Sequence, residues 1–439
     1  MKRPSTIVAL LFGIFSIVTA VAQTNANPKS LDPYVGIYRS WAGSFVSIAK
    51  FDLGDGQNRM LFTDFKSGTI RILSPSSENS FTAGTGLLMN PPVEMQISFV
   101  RNVRDEVTRL VWQVGAARRV AEKVNLRREE ISFSNGGVTL SGTLITPAAR
   151  GSHPAVVLLH GSGGLNRYSF GPFPDFFLSR GYAVLVYDKR GTGNSNGNLE
   201  KATFDNLAAD GRAAVHFLKG RKGITQIGLC GSSQGGFLAA LVASGNRDVA
   251  FIINLYGMYV PAWQQELYRA EAEMREGGLS ETERAEALAF MKLEFDVGRT
   301  GQDWERLAAA MRQVKTKKWF ESVPHFSDLN ELVSDWRTVY SYDPALALEK
   351  VICPVLALFG ALDNSTPVPQ TLANMQRALK MAGNPNFTYR VFPKGNHGLL
   401  ESETGYNSEI PKLKRFVPGL FETMTIWLRK RTSVRSGIV

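Results

Sequence analysis

Two adjacent serines, Ser232 and Ser233, sit in "LCGSSQGGFLA", between a short apolar run and a stretch of small and apolar residues, with glycine on either side. "QIGLC" reads as a buried strand and "QGGFLAALVAS" as a buried helix, so the serines fall at a strand-to-helix turn. There the pattern Gly-x-Ser-x-Gly is met by Gly231, Ser233 and Gly235, which selects Ser233 over Ser232 as a nucleophile held in a strained turn. A glycine-rich turn without chemistry is the alternative. A serine hydroxyl at neutral pH needs a base, usually histidine, and the base needs a carboxylate to orient it. Asp363 in "LFGALDNSTP" and His397 in "VFPKGNHGLL" follow two later strand-like runs, in the chain order Ser, Asp, His. Taken singly, Asp363 also suits a helix cap and His397 a polar turn. His216 falls inside a helix, His153 before a strand and His325 in the long insertion, which makes them poorer bases.

A tetrahedral oxyanion requires two preorganised N–H donors. The amide of Gln234, next after the nucleophile, is one candidate. The loop "HGSGG", His160 to Gly164, is expected to supply the other from Ser162, with Gly163 as the alternative. Gly161 and Gly163 let this backbone approach a substrate carbonyl, and His160 is read as a brace for the loop. In "YDKRGTGNS", Asp188 and Arg190 are expected to form a buried structural ion pair.

These loops need elements to carry them. "EEISFSNGGVTLSGTLITP" reads as a hairpin turned at Asn135-Gly136-Gly137, and "PAVVLLHGSGG" as a strand buried on both faces. A helix over 172–179 and the strand in "YAVLVYDKRGTGNS" follow, then the helical "FDNLAADGRAAVHFLKG" and the elbow strand. "VAFIINLYG", "CPVLALFGALD" and "FTYRVF" add strands, with a helix over 368–381 before the last. Alternation of this kind predicts an α/β class, a mostly parallel sheet flanked by helices. Residues 258–350 are amphipathic and helical, too long for an ordinary connection, and are expected to form a helical cap inserted between 129–257 and 351–434 of the catalytic domain. The cap's Met and aromatic residues suit either a pocket lining or its own packing. Residues 30–120 alternate as strands separated by turn signals and predict a small β-rich domain, a barrel or half-barrel with no nucleophile and base of its own. The basic "AARRVAEKVNLRREE" is helix-compatible and reads as its connector to the catalytic part.

Composition bounds the reading. With 439 residues, 44% of them hydrophobic, the chain can bury more than one core. The start "MKRPSTIVALLFGIFSIVTAVAQ" has the basic tip, apolar run and Ala20-Val21-Ala22 end of a cleaved signal peptide over 1–22, so the mature protein is expected to be exported, periplasmic or extracellular. A membrane anchor is the competing reading. The formal charge of +11 is dispersed, without a nucleic-acid-binding pattern. Cys230 and Cys353 are expected as two buried free thiols, and five scattered histidines imply no metal site.

The stretches "HGSGG", "YDKRGTGNS", "GSSQGG", "YDPALALEKVICPVLALFGALD" and "KGNHG" resemble the α/β-hydrolase superfamily, and within it the bacterial exported acyl esterases with an N-terminal β module and a helical cap. The resemblance runs from about Glu129 to the end of the chain; it is much weaker for the β module. It implies a Ser-His-Asp serine esterase, a carboxylic ester hydrolase working through an acyl-enzyme without a cofactor. The expected partner is a small-molecule acyl ester, with no nucleic acid and no stable membrane insertion after signal cleavage; homo-oligomer formation stays open. A peptidase or amidase of the same fold and a catalytically silent envelope binding protein are the alternatives.

Overall fold

The computed structural model describes residues 30–431, so the expected signal peptide and its cleavage point at Ala22 lie outside the described residues. The chain opens with eight antiparallel strands: β1 (Gly36–Ser40), β2 (Phe45–Asp52), β3 (Asn58–Asp64), β4 (Ile70–Ser77), β5 (Ser80–Gly86), β6 (Met89–Arg101), β7 (Val107–Val114) and β8 (Ala117–Lys123). They close into a barrel, β8 pairing back onto β1 with Tyr38 opposite Lys123 and Ser40 opposite Ala121. Side chains of a strand alternate between its faces, and here both faces are apolar. Tyr38, Ile48, Met60 and Phe62 point into the barrel core, while their neighbours Ile37, Ala49 and Leu61 pack outward into a core shared with the rest of the molecule.

"AARRVAEKVNLRREE" is not the expected helical connector. It forms β8 and then β9 (Leu126–Asn135). Spacings such as Arg118 to Glu122 suit a helix locally, but closing the barrel offers this segment hydrogen-bonding partners on both edges, β7 and β1, and buries Ala121 completely. Tertiary pairing overrides the local preference.

A second sheet follows, made by β9, β10 (Val138–Pro147), β11 (His153–Leu159), β12 (Ala183–Tyr187), β13 (Ile224–Ser232), β14 (Val249–Leu255), β15 (Val355–Gly360) and β16 (Phe387–Phe392). Its spatial order is β16-β15-β14-β13-β11-β12-β10-β9; the β9–β10 and β10–β12 pairs are antiparallel and the remaining pairs parallel, so β10 alone runs against the other strands. Between the strands lie helices α1 (Phe173–Leu178), α2 (Phe204–Lys219) and α3 (Gln234–Ala243). Residues of α2 and α3 pack on one face of the sheet; those of α1, and the outward residues of the barrel, pack on the other. Strands buried on both sides become continuous apolar runs, as Val156 to Leu159 does. Cys230 and Cys353 are buried and free.

Between β14 and β15 come α4 (Ala262–Glu276), α5 (Glu281–Thr300), α6 (Trp304–Val314), α7 (Leu329–Asp335) and α8 (Ala345–Leu348). Ser280 caps α5 reciprocally with Glu283, satisfying orphan amides at its start. This cap has its own apolar core around Phe290, Phe295, Trp319 and Leu332. Most of its Met and aromatic side chains serve that packing. The chain ends with α9 (Val368–Met381), then β16, and α10 (Leu420–Arg429) on the barrel side of the sheet. Among the described residues, no helix is long and apolar enough to cross a membrane.

Candidate active site

Strand order places the site. β11 pairs with β12 on one side and β13 on the other, so the chain reverses direction of winding there, and a crevice opens beyond the carboxyl ends of the two strands. The "HGSGG" loop leaves β11 and the serine turn leaves β13, directly side by side.

Ser233 has φ 53° and ψ −119°, a strained backbone for a residue with a side chain. Its neighbours must be glycine for steric reasons. A Cβ on Gly231 would lie 1.9 Å from the Gly235 carbonyl oxygen, and one on Gly235 would lie 2.1 Å from that of Leu159. The tightness brings β13, the start of α3 and the end of β11 together and lifts Ser233 Oγ toward His397. His397 Nε2 is 3.0 Å from Ser233 Oγ, and Nδ1 is 2.9 Å and 3.0 Å from the two Asp363 carboxylate oxygens.

Asp363 is buried, and its Oδ1 also accepts the amides of Ser365 (2.8 Å) and Thr366 (2.7 Å). The loop-capping geometry and the contact with histidine therefore coexist in one carboxylate. Tyr256 packs edge-on against the His397 ring at 4.9 Å, faces Ser232 and thereby engages the second serine elsewhere. His153, His216 and His325 are absent from this cluster. Ser233 and His397 line one cavity together with Gln234 and Ser162, and Asp363 stands behind His397, bonded to its Nδ1. Gln234 opens α3, so its N–H is one of those a helix leaves without an intrahelical acceptor.

The "HGSGG" loop is held by a residue that sequence reasoning passed over. Lys189 is 4% exposed, and its ammonium donates to the carbonyls of Gly161 (2.8 Å) and Gly163 (3.2 Å) and to Gln234 Oε1 (2.9 Å). One cation thus ties both sides of the crevice. Burial pulls the Lys189 pKa down to about 7. His160 is fully enclosed between Phe170 (4.4 Å) and Tyr187 (5.0 Å), and burial lowers its pKa to about 3, so it is neutral and a packing element.

Asp188 and Arg190 do not pair with each other. Asp188 pairs with Arg167, at 2.9 Å and 3.1 Å, and accepts the amides of Arg167 and Asn194; Arg190 pairs with Asp210 on α2 at 2.6 Å. The turn after β12 faces the two side chains toward different elements, and each finds a buried counter-charge there. Burial opposes the charge on Asp188, but Arg167 and the two amides outweigh it and hold the carboxyl below its usual range.

The barrel braces this loop too. Asp52 at the end of β2 accepts from Asn166 Nδ2 at 2.6 Å, and the Lys50 ammonium lies 5.1 Å from the Tyr168 ring. On its other flank, Ile70 and Leu87 donate backbone N–H bonds to Lys414 and Leu413 (3.1 Å and 2.7 Å). That segment pairs in turn with Leu399 to Glu401, immediately after His397. From the cap, Tyr268 Oη donates to the Asp363 carbonyl (2.8 Å) and Gln265 Nε2 to that of Ser365 (2.8 Å).

The family model described as alpha/beta hydrolase fold matches residues 154–404, more than half of the chain. The chain belongs to the alpha/beta hydrolase fold family. It is 26% identical over 297 residues to the esterase EstD of Thermotoga maritima, covering 65% of this chain and 64% of that protein. It is 25% identical over 236 residues to an uncharacterized 31.7 kDa protein of Escherichia coli, covering 52% of this chain and 79% of the relative. Among solved structures, an esterase of Pyrococcus furiosus superposes with a TM-score of 0.44 at 18% identity, over 70% of this chain and 92% of that one.

Proposed function

We propose that this protein is an exported serine hydrolase of small carboxylic esters, with Ser233 as nucleophile, His397 as proton shuttle and Asp363 as the group that orients and charges-balances the imidazole. The observation that supports this reading is the unbroken hydrogen-bonded line from Ser233 Oγ through the two His397 nitrogens to a buried Asp363 carboxylate. Ser233 Oγ attacks the ester carbonyl carbon while His397 Nε2 takes its proton. The carbonyl electron pair moves onto oxygen, where the Gln234 amide and the Ser162 amide, with Gly163 as the alternative, stabilise the negative charge. Collapse expels the alcohol, which leaves with the proton from His397. Water, deprotonated by His397, then releases the acid from the acyl-enzyme. Every step uses side chains and amides of this chain, so no cofactor is invoked.

The test is turnover of a p-nitrophenyl acyl series by wild type, Ser233→Ala and Ser232→Ala. Ser233→Ala should fall by roughly 10⁴-fold or more in kcat with the fold intact, while Ser232→Ala keeps substantial activity. The opposite ranking overturns the assignment. Folded wild-type protein that turns over no ester, thioester or peptide points instead to a binding protein.

A further inference from the structure

The cavity over Ser233 and His397 has two unlike walls. Phe204, Phe237, Met258 and Val339 make one of them apolar. Cap helix α4 supplies the other, and there Arg269 is set between two carboxylates. Its Nε and Nη2 pair with both oxygens of Glu266 (2.9 Å and 2.6 Å), and its Nη1 pairs with Glu273. Each nitrogen of the guanidinium therefore already faces a carboxylate; burial raises the Glu266 carboxyl above its usual range against the pull of Arg269, and with both carboxylates ionised the cluster carries one more negative charge than positive. Burial works against the charge on Arg269, but the two carboxylates outweigh it and hold its pKa above the ordinary range. Apart from His397 and Arg269, no basic side chain lines this cavity among the described residues.

An independent feature marks the wall as a place for a ligand. Tyr340 also lines the cavity, is 1% exposed, lies close enough to Glu266, Asp335, Glu294 and Arg269 to feel their charges, and its hydroxyl has no partner among the described residues. A buried hydroxyl without a partner costs about 1–3 kcal/mol, which a bound ligand can recover. Gln265 commits its amide nitrogen to Ser365 and so leaves its carbonyl oxygen uncommitted. Glu273, with its side chain 32% exposed, engages Arg269 through one oxygen and keeps the other accessible. The uncommitted atoms are thus mainly acceptors, in a wall of net negative charge.

We infer that the cap wall binds an ammonium group, so that the preferred esters carry an aliphatic chain ending in a cationic nitrogen. The methylenes lie along Phe204, Phe237 and Val339, and the ammonium meets Glu273, Gln265 and Tyr340 at the far end. This inference rests on the serine hydrolase reading for turnover but not for binding.

The test compares p-nitrophenyl esters of 6-aminohexanoate, heptanoate and adipate, which differ at the tip as ammonium, methyl and carboxylate. The ammonium ester should exceed the methyl ester in kcat/KM by about tenfold or more, and the carboxylate ester should be the poorest. Glu273→Gln should bring the ammonium-to-methyl ratio toward one. Tyr340→Phe, which removes only an unpartnered hydroxyl and should fold as well as wild type, should lower the same ratio severalfold. Equal rates for the ammonium and methyl esters, or a preference for the carboxylate, overturn the inference. Calorimetric binding of n-hexylammonium to wild type and to Glu273→Gln separates the two readings. Weaker binding to the variant supports the ammonium wall even if no ester is turned over, which would overturn the hydrolase reading alone; equal binding counts against the wall.

Discussion

The barrel and the cap both touch the loops that carry Ser233, Asp363 and His397, but they do so in different ways. The barrel shares one apolar core with the sheet: Ile37, Ala49 and Leu61 pack together with Val156, Leu158 and Phe176. It also bonds main chain to main chain with the segment at Leu413 and Lys414, which pairs onto the loop after His397. The cap instead closes a core of its own around Phe290 and Trp319, joins the sheet's core at its end through Ala347 and Leu348, and reaches the acid loop through the side chains of Tyr268 and Gln265. Its interior keeps unpaired polar groups, among them Glu294, whose carboxyl burial raises well above the usual range. Apolar burial and ladder bonding make a stiff support, whereas a few side-chain tethers leave a wall that can adapt. On the proposed serine-hydrolase reading, the barrel holds the geometry of Ser233, Asp363 and His397 and the cap selects what enters.

The largest effect expected on the barrel side is one of stability with pH. In the unfolded chain the His160 imidazole takes up a proton near pH 6.5, whereas burial delays this to about 3 in the folded protein. The unfolded state binds more protons between those values, so stability falls as pH drops from about 6.5 to about 3, by up to roughly 5 kcal/mol. Urea midpoints at pH 7 and pH 4 should show the loss in wild type and a smaller loss in His160→Phe. An unchanged pH dependence in the variant would mean that His160 is not the group whose protonation destabilises the fold.

Lys189→Met should be next in size. It strips the common donor from Gly161 O, Gly163 O and Gln234 Oε1, and kcat should fall about 100-fold with KM little moved. A change confined to KM would mean that the lysine does not organise the oxyanion loop. Asp52→Ala, in the barrel and away from the cavity, should lower kcat about tenfold by loosening Asn166. An Asp52→Ala enzyme as fast as wild type would break the claim that the barrel holds the site. Tyr268→Phe removes one tether from the cap to the Asp363 carbonyl, and its effect on kcat/KM should stay below about threefold. An effect matching that of Asp52→Ala would erase the difference between the two supports.

Much of this was legible in the residues themselves. Apolar runs such as "AVVLL" and "FIINL" are strands buried on both faces, and the helix expected over 368–381 is α9, Val368–Met381. Ser233, Asp363 and His397 stood out because the roles proposed for them demand short motifs at strand ends. The β8 segment was not legible, since its local charge spacing suits a helix and only the closing partners β1 and β7 make it a strand. Nor were the ion pairs around Asp188 and Arg190, because Arg167 and Asp210 approach from other elements. Lys189 lay within a motif already singled out; a lysine two residues past the end of a strand buried on both faces was the available signal. The Glu266–Arg269–Glu273 cluster follows helical i, i+3 and i+4 spacing, yet nothing in that spacing says that it faces a cavity.

The proposed activation of Ser233 by His397 would make this serine reactive toward a covalent phosphonylating label. Intact-mass analysis of the protein after exposure to a fluorophosphonate, with peptide mapping of the adduct, addresses it most directly. The account predicts one adduct, on Ser233, lost in His397→Ala. Labelling on Ser232, or folded protein that takes no label, would contradict it.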